Sequence, residues 1–423
     1  MSTENFTSIK ASFFNRMMES EPQEAAALGL DGYASKLPNL SEAQLDSRVS
    51  AEESMLMEIR RLSPDALLDG ELFDFHSMVS LAQFRVHRFR EAKLHLDDIE
   101  ASVLPHSLLQ FQLAHAQGKD DWGSIVARIE GIPGYLEQAA ANLSKGKAQE
   151  RLRLRSVKEY VYQNEIPSII SFFESGLGEI VNARSDGLSS SFMESLGNAT
   201  QHAAGAYRTH LTFLENEILP SSSDEFALGE EEVRWRLQTM YGVQESPQAL
   251  IHSMEEELKV VATKIIQMAH RLAPRKNIAT LAQAREVVWE IQGKTFEHEA
   301  FLLPHYRALT ERATNFVRER RMFRLPEAFE MNLMLTPKGL EHAFNWPGPL
   351  MDSQKEGYFL VNPDPSAHSK AWSADVAVHE GVPGHYLQSM LWQRAFGGDP
   401  YPVRFIGNLD FCAMASQYWG PML

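Results

Sequence analysis

Residues 246–272 read SPQALIHSMEEELKVVATKIIQMAHRL, and this stretch decides the fold class. Ser246 followed by Pro247 is the punctuation of a helix start. The hydroxyl can accept from an open backbone N–H, and proline's fixed φ suits the first turn, where its missing N–H costs nothing. Leu250, Met254, Leu258, Val261 and Ile265 then recur at spacings of three or four, which places them on one helix face. Apolar stripes of this kind are ordinarily core, so this face is expected to be buried.

The same grammar runs through most of the 423 residues. Ser41 and Gln44 have capping-box spacing ahead of Leu45, Val49, Leu56, Ile59 and Leu62. Ser63-Pro64 repeats the start signal, and Thr280 with Gln283 forms another capping box before Val287, Val288 and Ile291. Amphipathic stretches cover 149–182 and 187–217. After about Phe323 the texture changes. Pro326, Pro337, Pro347 and Pro349 interrupt any helix, and Gly339 and Gly348 add turns. Gly357 to Asn362 is rich in strand formers and stops at Pro363 and Pro365, which predicts a short strand. Helical pattern resumes at Trp372.

Composition narrows the function classes. The chain is 44% hydrophobic and 23% charged, as folded proteins are. Its length allows two or three packing units. A formal net charge of -16 argues against nucleic acid, which needs a basic face that releases counterions, and against anionic membrane surfaces. Cys412 is the only cysteine, so no intrachain disulfide and no cysteine-rich zinc finger can form. Met1 to Lys10 is polar, and no apolar run reaches membrane-spanning length. A cytoplasmic location is the expectation.

The chemistry concentrates in residues 375–388, DVAVHEGVPGHYLQ. A His-Glu pair on an apolar helix is how many zinc hydrolases begin their site: the imidazole binds the metal and the carboxylate takes a proton from water. The usual second histidine lies four residues on, but here that place is Pro383 and the next histidine is His385, six residues after His379. On a straight helix six residues rotate by about 240°, so His379 and His385 would diverge. Pro383 clashes with the carbonyl of His379 and donates no N–H, while Gly384 permits backbone angles that other residues avoid. A kink at Pro383-Gly384 would swing His385 back to the metal. A helix end at Val382 with two unrelated histidines is the alternative.

The run His379 to Gln388 resembles the signature of a bacterial family known as domain of unknown function eight-eight-five, predicted zinc metallopeptidases whose third ligand is a glutamate. Pro22 through Gly29, Ile132 to Leu143, Ser246-Pro247 onward and Gly357 to Pro365 also resemble stretches of that family, so the likeness covers most of the chain. It implies His379 and His385 as zinc ligands and Glu380 as general base. Asp375, one turn before His379, would orient its imidazole or stand as a solvated carboxylate. Gly357 to Asn362 would be an edge strand pairing with an extended peptide, or an ordinary packing strand. Tyr358 would be placed to hydrogen-bond a substrate.

The resemblance fails in one place. The family's third ligand is expected near Ala413, in the segment Phe411 to Tyr418, and no glutamate follows Glu380 anywhere; Asp399 and Asp410 are the only later acids. The family also continues beyond the position of Leu423, which implies that the C-terminal part is truncated here. A fragment or altered reading frame, a decayed pseudoenzyme, and replacement of the glutamate by Asp410 or Cys412 are the competing explanations. Asn408 to Tyr418 is expected to be a helix passing the motif, with position 413 facing the histidines.

The expected architecture is mainly α. It comprises a helical region 1–322 and a loop-and-strand insert with the metal-motif helix in 323–423, forming one continuous metallopeptidase-like domain incomplete at its C-terminus. The expected function is zinc-dependent hydrolysis of peptide bonds by a metal-activated water, acting on a peptide or small amide without nucleic acid or membrane partners, with activity weak or absent because the third ligand is missing. The alternatives are a non-catalytic helical binding or scaffold protein and a metal-dependent hydrolase of other amides or esters.

Overall fold

The computed structural model describes residues 3–115, 119–184, 189–325, 329–336, 344–352, 357–370 and 372–406. It is mainly helical, with one small sheet. Contacts divide the chain into two compact units. One comprises Met1–Ala227 with Pro349–Lys355 and Trp392–Asn408; the other comprises Leu228–Gly348 and Glu356–Leu391.

The first unit is built from helices whose small and aromatic residues interlock. Ile132–Ala148 and Ser190–Phe213 pack through Tyr135, Leu136, Ala139, Leu143, Ala199, Ala203 and Tyr207, all buried. Glu42–Ile59 and Asp69–Arg90 pair beside the N-terminal helix, where Phe13, Phe14, Met17, Met55, Ile59 and Met78 form a second core that takes in Leu350 and Val403. A buried ion network holds this late segment. Lys10 Nζ lies 2.9 Å from Asp74 Oδ2 and 2.8 Å from Asp399 Oδ2, and Arg404 Nε lies 2.7 Å from Asp74 Oδ1. The start signals here are only partly used. Ser41 is an N-cap without a side-chain cap bond, and Ser63-Pro64 opens only the short turn Pro64–Ala66. The long helix begins at Asp69, after Glu71 reaches back to the N–H of Leu68 at 3.0 Å.

In the second unit the start signals work as read. Helix α1 spans Pro247–Leu272, with Ser246 Oγ accepting from the Ala249 N–H at 3.2 Å. Helix α2 spans Leu281–Gln292 behind a complete Thr280/Gln283 capping box. Ala269, Ile278, Ala284 and Val287, joined by Ile266 and Ala273, form the small core these two helices share. The expected burial of the α1 stripe fails. Ala269 is the buried residue of α1, while Met254, Leu258, Val261 and Ile265 are exposed. Helical periodicity fixes which residues share a face but not whether anything covers it.

Helix α3 spans Leu302–Arg320. The strands are β1 (Leu333–Leu335), β2 (Phe344–Trp346) and β3 (Tyr358–Val361). Strand β3 lies in the middle: β1 pairs with it in parallel, Leu333 opposite Phe359, and β2 antiparallel, Asn345 opposite Phe359. The edge-strand reading of Gly357 to Asn362 is thereby corrected. With both sides hydrogen-bonded, β3 has no free edge for a peptide, and Phe359, Leu360 and Val361 are fully buried. Among the described residues no helix is long and apolar enough to cross a membrane.

Candidate metal centre

The motif is carried by two helices. Helix α4, Trp372–Val376, runs into a wide π turn at Ala377–Gly381, and helix α5 spans His385–Phe396. Side chains of α3 and the sheet hold the first of these. His305 Nε2 and the buried Ser373 Oγ are 2.7 Å apart, and Tyr306 OH is 2.8 Å from His368 Nδ1. Ala377 packs in the apolar cluster of Leu302, Tyr306, Phe359, Val361 and Tyr386. Gly381 leaves room for α3: a Cβ there would lie 3.3 Å from Met331 Sδ and 3.4 Å from Thr310 Cγ2.

Between the helices the helical run breaks and restarts instead of kinking. Val382 is extended and buried with Val317 and Leu387, and the Val382–Pro383 peptide bond is cis. Gly384 donates its N–H to Val378 O at 3.1 Å, and its own carbonyl accepts from Gln388 N–H at 3.1 Å as α5 begins. Glycine is required at 384 for space rather than for backbone angle. Its φ is not positive, but a Cβ would sit 1.9 Å from His379 O. The single kinked helix of the sequence reading is therefore corrected to a helix end, a tight link and a new helix start.

The two histidines on either side of this link lie together. The His379 and His385 rings have centroids 4.8 Å apart at an interplanar angle of 82°. One ligand atom from each of His379, Glu380 and His385 lies within 4.8 Å of the others, the one such group among the described residues. His379 Nε2 is 3.8 Å from Glu380 Oε1. Burial pushes the Glu380 carboxyl up to about 7, against the lowering effect of a hydrogen bond from the Asn345 backbone N–H. Burial, reinforced by the neighbouring His379, takes His385 down to about 4. Burial also lowers His379, opposed by the charge of the exposed Asp375. Both imidazoles are thus neutral near pH 7, the form in which a ring nitrogen has a lone pair to give. Two neutral imidazoles are ligands that suit zinc, and they supply two of the three that a catalytic zinc ordinarily has.

Asn345 had no signal in the sequence, being 34 positions from His379 with no motif around it. It comes from the outer strand β2: besides its N–H to Glu380, its Nδ2 donates to Ser389 Oγ on α5 at 3.4 Å, and its buried Oδ1 has no partner among the described residues. Tyr358 lines a separate cleft of about 680 Å³ with Arg307, Thr310, Thr314, Met331 and Asn332; the motif side chains do not line it. Asp399 is committed to Lys10 in the first unit. Asp410, Cys412, Ala413 and the expected helix Asn408 to Tyr418 lie outside the described residues.

Fold and site together define a mainly α protein with a converged His-Glu-His cluster. The chain belongs to the family described as bacterial protein of unknown function (DUF885), whose pattern matches residues 22–406. No curated protein is significantly similar to it. Two solved structures share its fold. A candidate lipoprotein of unknown function from Shewanella oneidensis is 16% identical, with TM-score 0.71, covering 99% of this chain and 77% of its own. A candidate lipoprotein from Colwellia psychrerythraea is 13% identical, with TM-score 0.73, covering 99% and 79%.

Proposed function

We propose that this protein is a zinc-dependent hydrolase of peptide bonds, with His379 and His385 holding the metal and Glu380 as general base. The observation that carries the proposal is the convergence of these three side chains across a link that only glycine at 384 permits. Zinc held there would supply Lewis acidity toward a carbonyl and toward water. Glu380 would take the proton from the attacking water and return it to the departing nitrogen. The backbone N–H of Asn345 would fix the orientation of that carboxylate.

A second reading, a non-catalytic helical binding or scaffold protein, draws on the stretch Phe411 to Tyr418, which has no glutamate where the resemblance expects the third ligand. A third, hydrolysis of other amides or esters, draws on the metal chemistry it shares with peptide hydrolysis. The two solved neighbours carry lipoprotein names, which does not favour the cytoplasmic expectation.

Metal analysis of the purified protein with and without chelator, followed by panels of peptides and esters, separates these readings. Zinc lost on His379→Ala or His385→Ala, with chelator-sensitive peptide cleavage, supports the proposal. Zinc without turnover on either panel favours the binding protein, cleavage of esters alone favours the third reading, and no zinc at all sinks the metal site.

A further inference from the structure

The exposed face of α1 carries more order than a stray apolar stripe. Ile251, Met254, Leu258, Val261, Ile265, Met268 and Leu272 follow one another at steps of 3, 4, 3, 4, 3 and 4, the a and d positions of three heptads. Each is between 38% and 65% exposed. The seam is distinct from the stripe that α1 buries at its C-terminal end, where Ile266, Ala269 and Ala273 meet α2. It spans 21 steps of helix, about 32 Å. A helix shows an uninterrupted heptad seam to water at a cost, because every a and d side chain forfeits the burial that a facing helix would give.

The charges say which helix fits. The first half of α1 is acidic, with Glu255, Glu256 and Glu257; the second half is basic, with Lys264 and Arg271. Glu256 is paired within the helix to Lys259 at 2.6 Å, while Glu257, Lys264 and Arg271 have no ionic partner among the described residues. We propose that α1 is a dimerisation helix that pairs antiparallel with α1 of a second copy of this chain.

In the antiparallel register Leu258 faces Val261 of the second copy, Met254 faces Ile265, and Ile251 faces Met268, each layer occurring twice by symmetry. The same register sets Glu257 at the flanking g position beside Lys264 at the g position of the second copy, again twice. A parallel, in-register pair would bring the two acidic halves together and put Glu257 opposite Ala262 and Lys264 opposite Ala269. Such flanking charges set orientation and partner choice in paired helices. A symmetric contact of this kind closes on itself as a two-fold dimer.

The test is the mass of the full chain in solution by sedimentation or light scattering, at about 1–100 µM because the assembly is concentration-dependent. A dimer is expected. Leu258→Glu should give a monomer with unchanged helical circular dichroism, since among the described residues nothing covers this face. Glu257→Lys should weaken the dimer, and Glu257→Lys combined with Lys264→Glu should restore it, which no loss of folding could mimic. Orientation is read in a Cys412→Ser background: Leu258→Cys and Val261→Cys proteins should crosslink when mixed and not when alone. A monomer across the whole range overturns the proposal and leaves the seam to another partner. A dimer indifferent to Leu258→Glu, or crosslinking of each single-cysteine protein with itself, overturns it as well.

Discussion

Gly384 lies against the backbone carbonyl of His379, so close that a Cβ at 384 would sit 1.9 Å from that oxygen and 2.4 Å from the oxygen of Val378. This contact closes the link through which two histidines six residues apart come to share one space. The atoms it would displace are backbone, which cannot swing aside as a side-chain tip can.

Gly384→Ala is accordingly expected to destabilise the second unit by about 2–4 kcal/mol and to separate His379 from His385. Urea unfolding reads the first effect and zinc content the second. An alanine variant with unchanged midpoint and metal content would show that the link has slack the geometry does not suggest.

Glu380→Gln keeps the shape of the side chain and removes its capacity to accept a proton. Under the proposed function, peptide hydrolysis falls by about 10²–10⁴-fold while zinc content holds. Loss of zinc together with activity would instead make Glu380 a ligand. Activity that survives the change would remove it from the base role.

The sequence made some of this legible and not the rest, for reasons that differ by element. The helix starts at Ser246 and Thr280 were readable because capping is local, involving donors and acceptors three residues apart. The pair His379 and His385 was readable as chemistry, and Pro383-Gly384 as the place where the chain must turn. The reason for Gly384 was not, because the crowding comes from how the turn closes. The contact of Asn345 with Glu380 depends on strand order, which three short strands do not announce. Asp399 stood in the sequence only as one of the two acids after Glu380, and its pairing with Lys10, from the opposite end of the chain, had no local signal. The apolar stripe of α1 showed its period but not its exposure.

Asp74 is the hub of the ion network in the first unit. It is 2% exposed and accepts from Lys10 and from both Nε and Nη2 of Arg404. Asp74→Ala would remove the buried carboxylate that Lys10 and Arg404 share and is expected to cost about 3–5 kcal/mol. Asp399→Ala should cost clearly less, because its side chain is 24% exposed and Lys10 keeps Asp74. Equal losses in urea unfolding would mean that the network acts as a single unit rather than through Asp74.

The last prediction concerns acid. His106 and His210 sit in the helical core of the first unit, His106 edge-on to Phe172 and His210 Nε2 within 2.8 Å of the buried Ser102 hydroxyl. Burial takes each down to about 4, whereas an unfolded histidine binds its proton near 6.5. Between those values the unfolded chain holds more protons than the folded one. The stabilisation is therefore complete above about pH 6.5 and is lost as pH falls toward 4, approaching about 1.4 kcal/mol per pH unit for each histidine. Buried acids work the other way: Glu52 and Asp98, raised by burial, bind protons more readily when folded and so favour the folded state on acidification. The net slope mixes both, so the test compares slopes. Urea midpoints taken from pH 7.5 to 4.5 should fall less steeply in His106→Gln and in His210→Gln than in the unmodified protein, whatever each substitution does to absolute stability. Parallel slopes in all three proteins would mean that these histidines already carry their protons in the core.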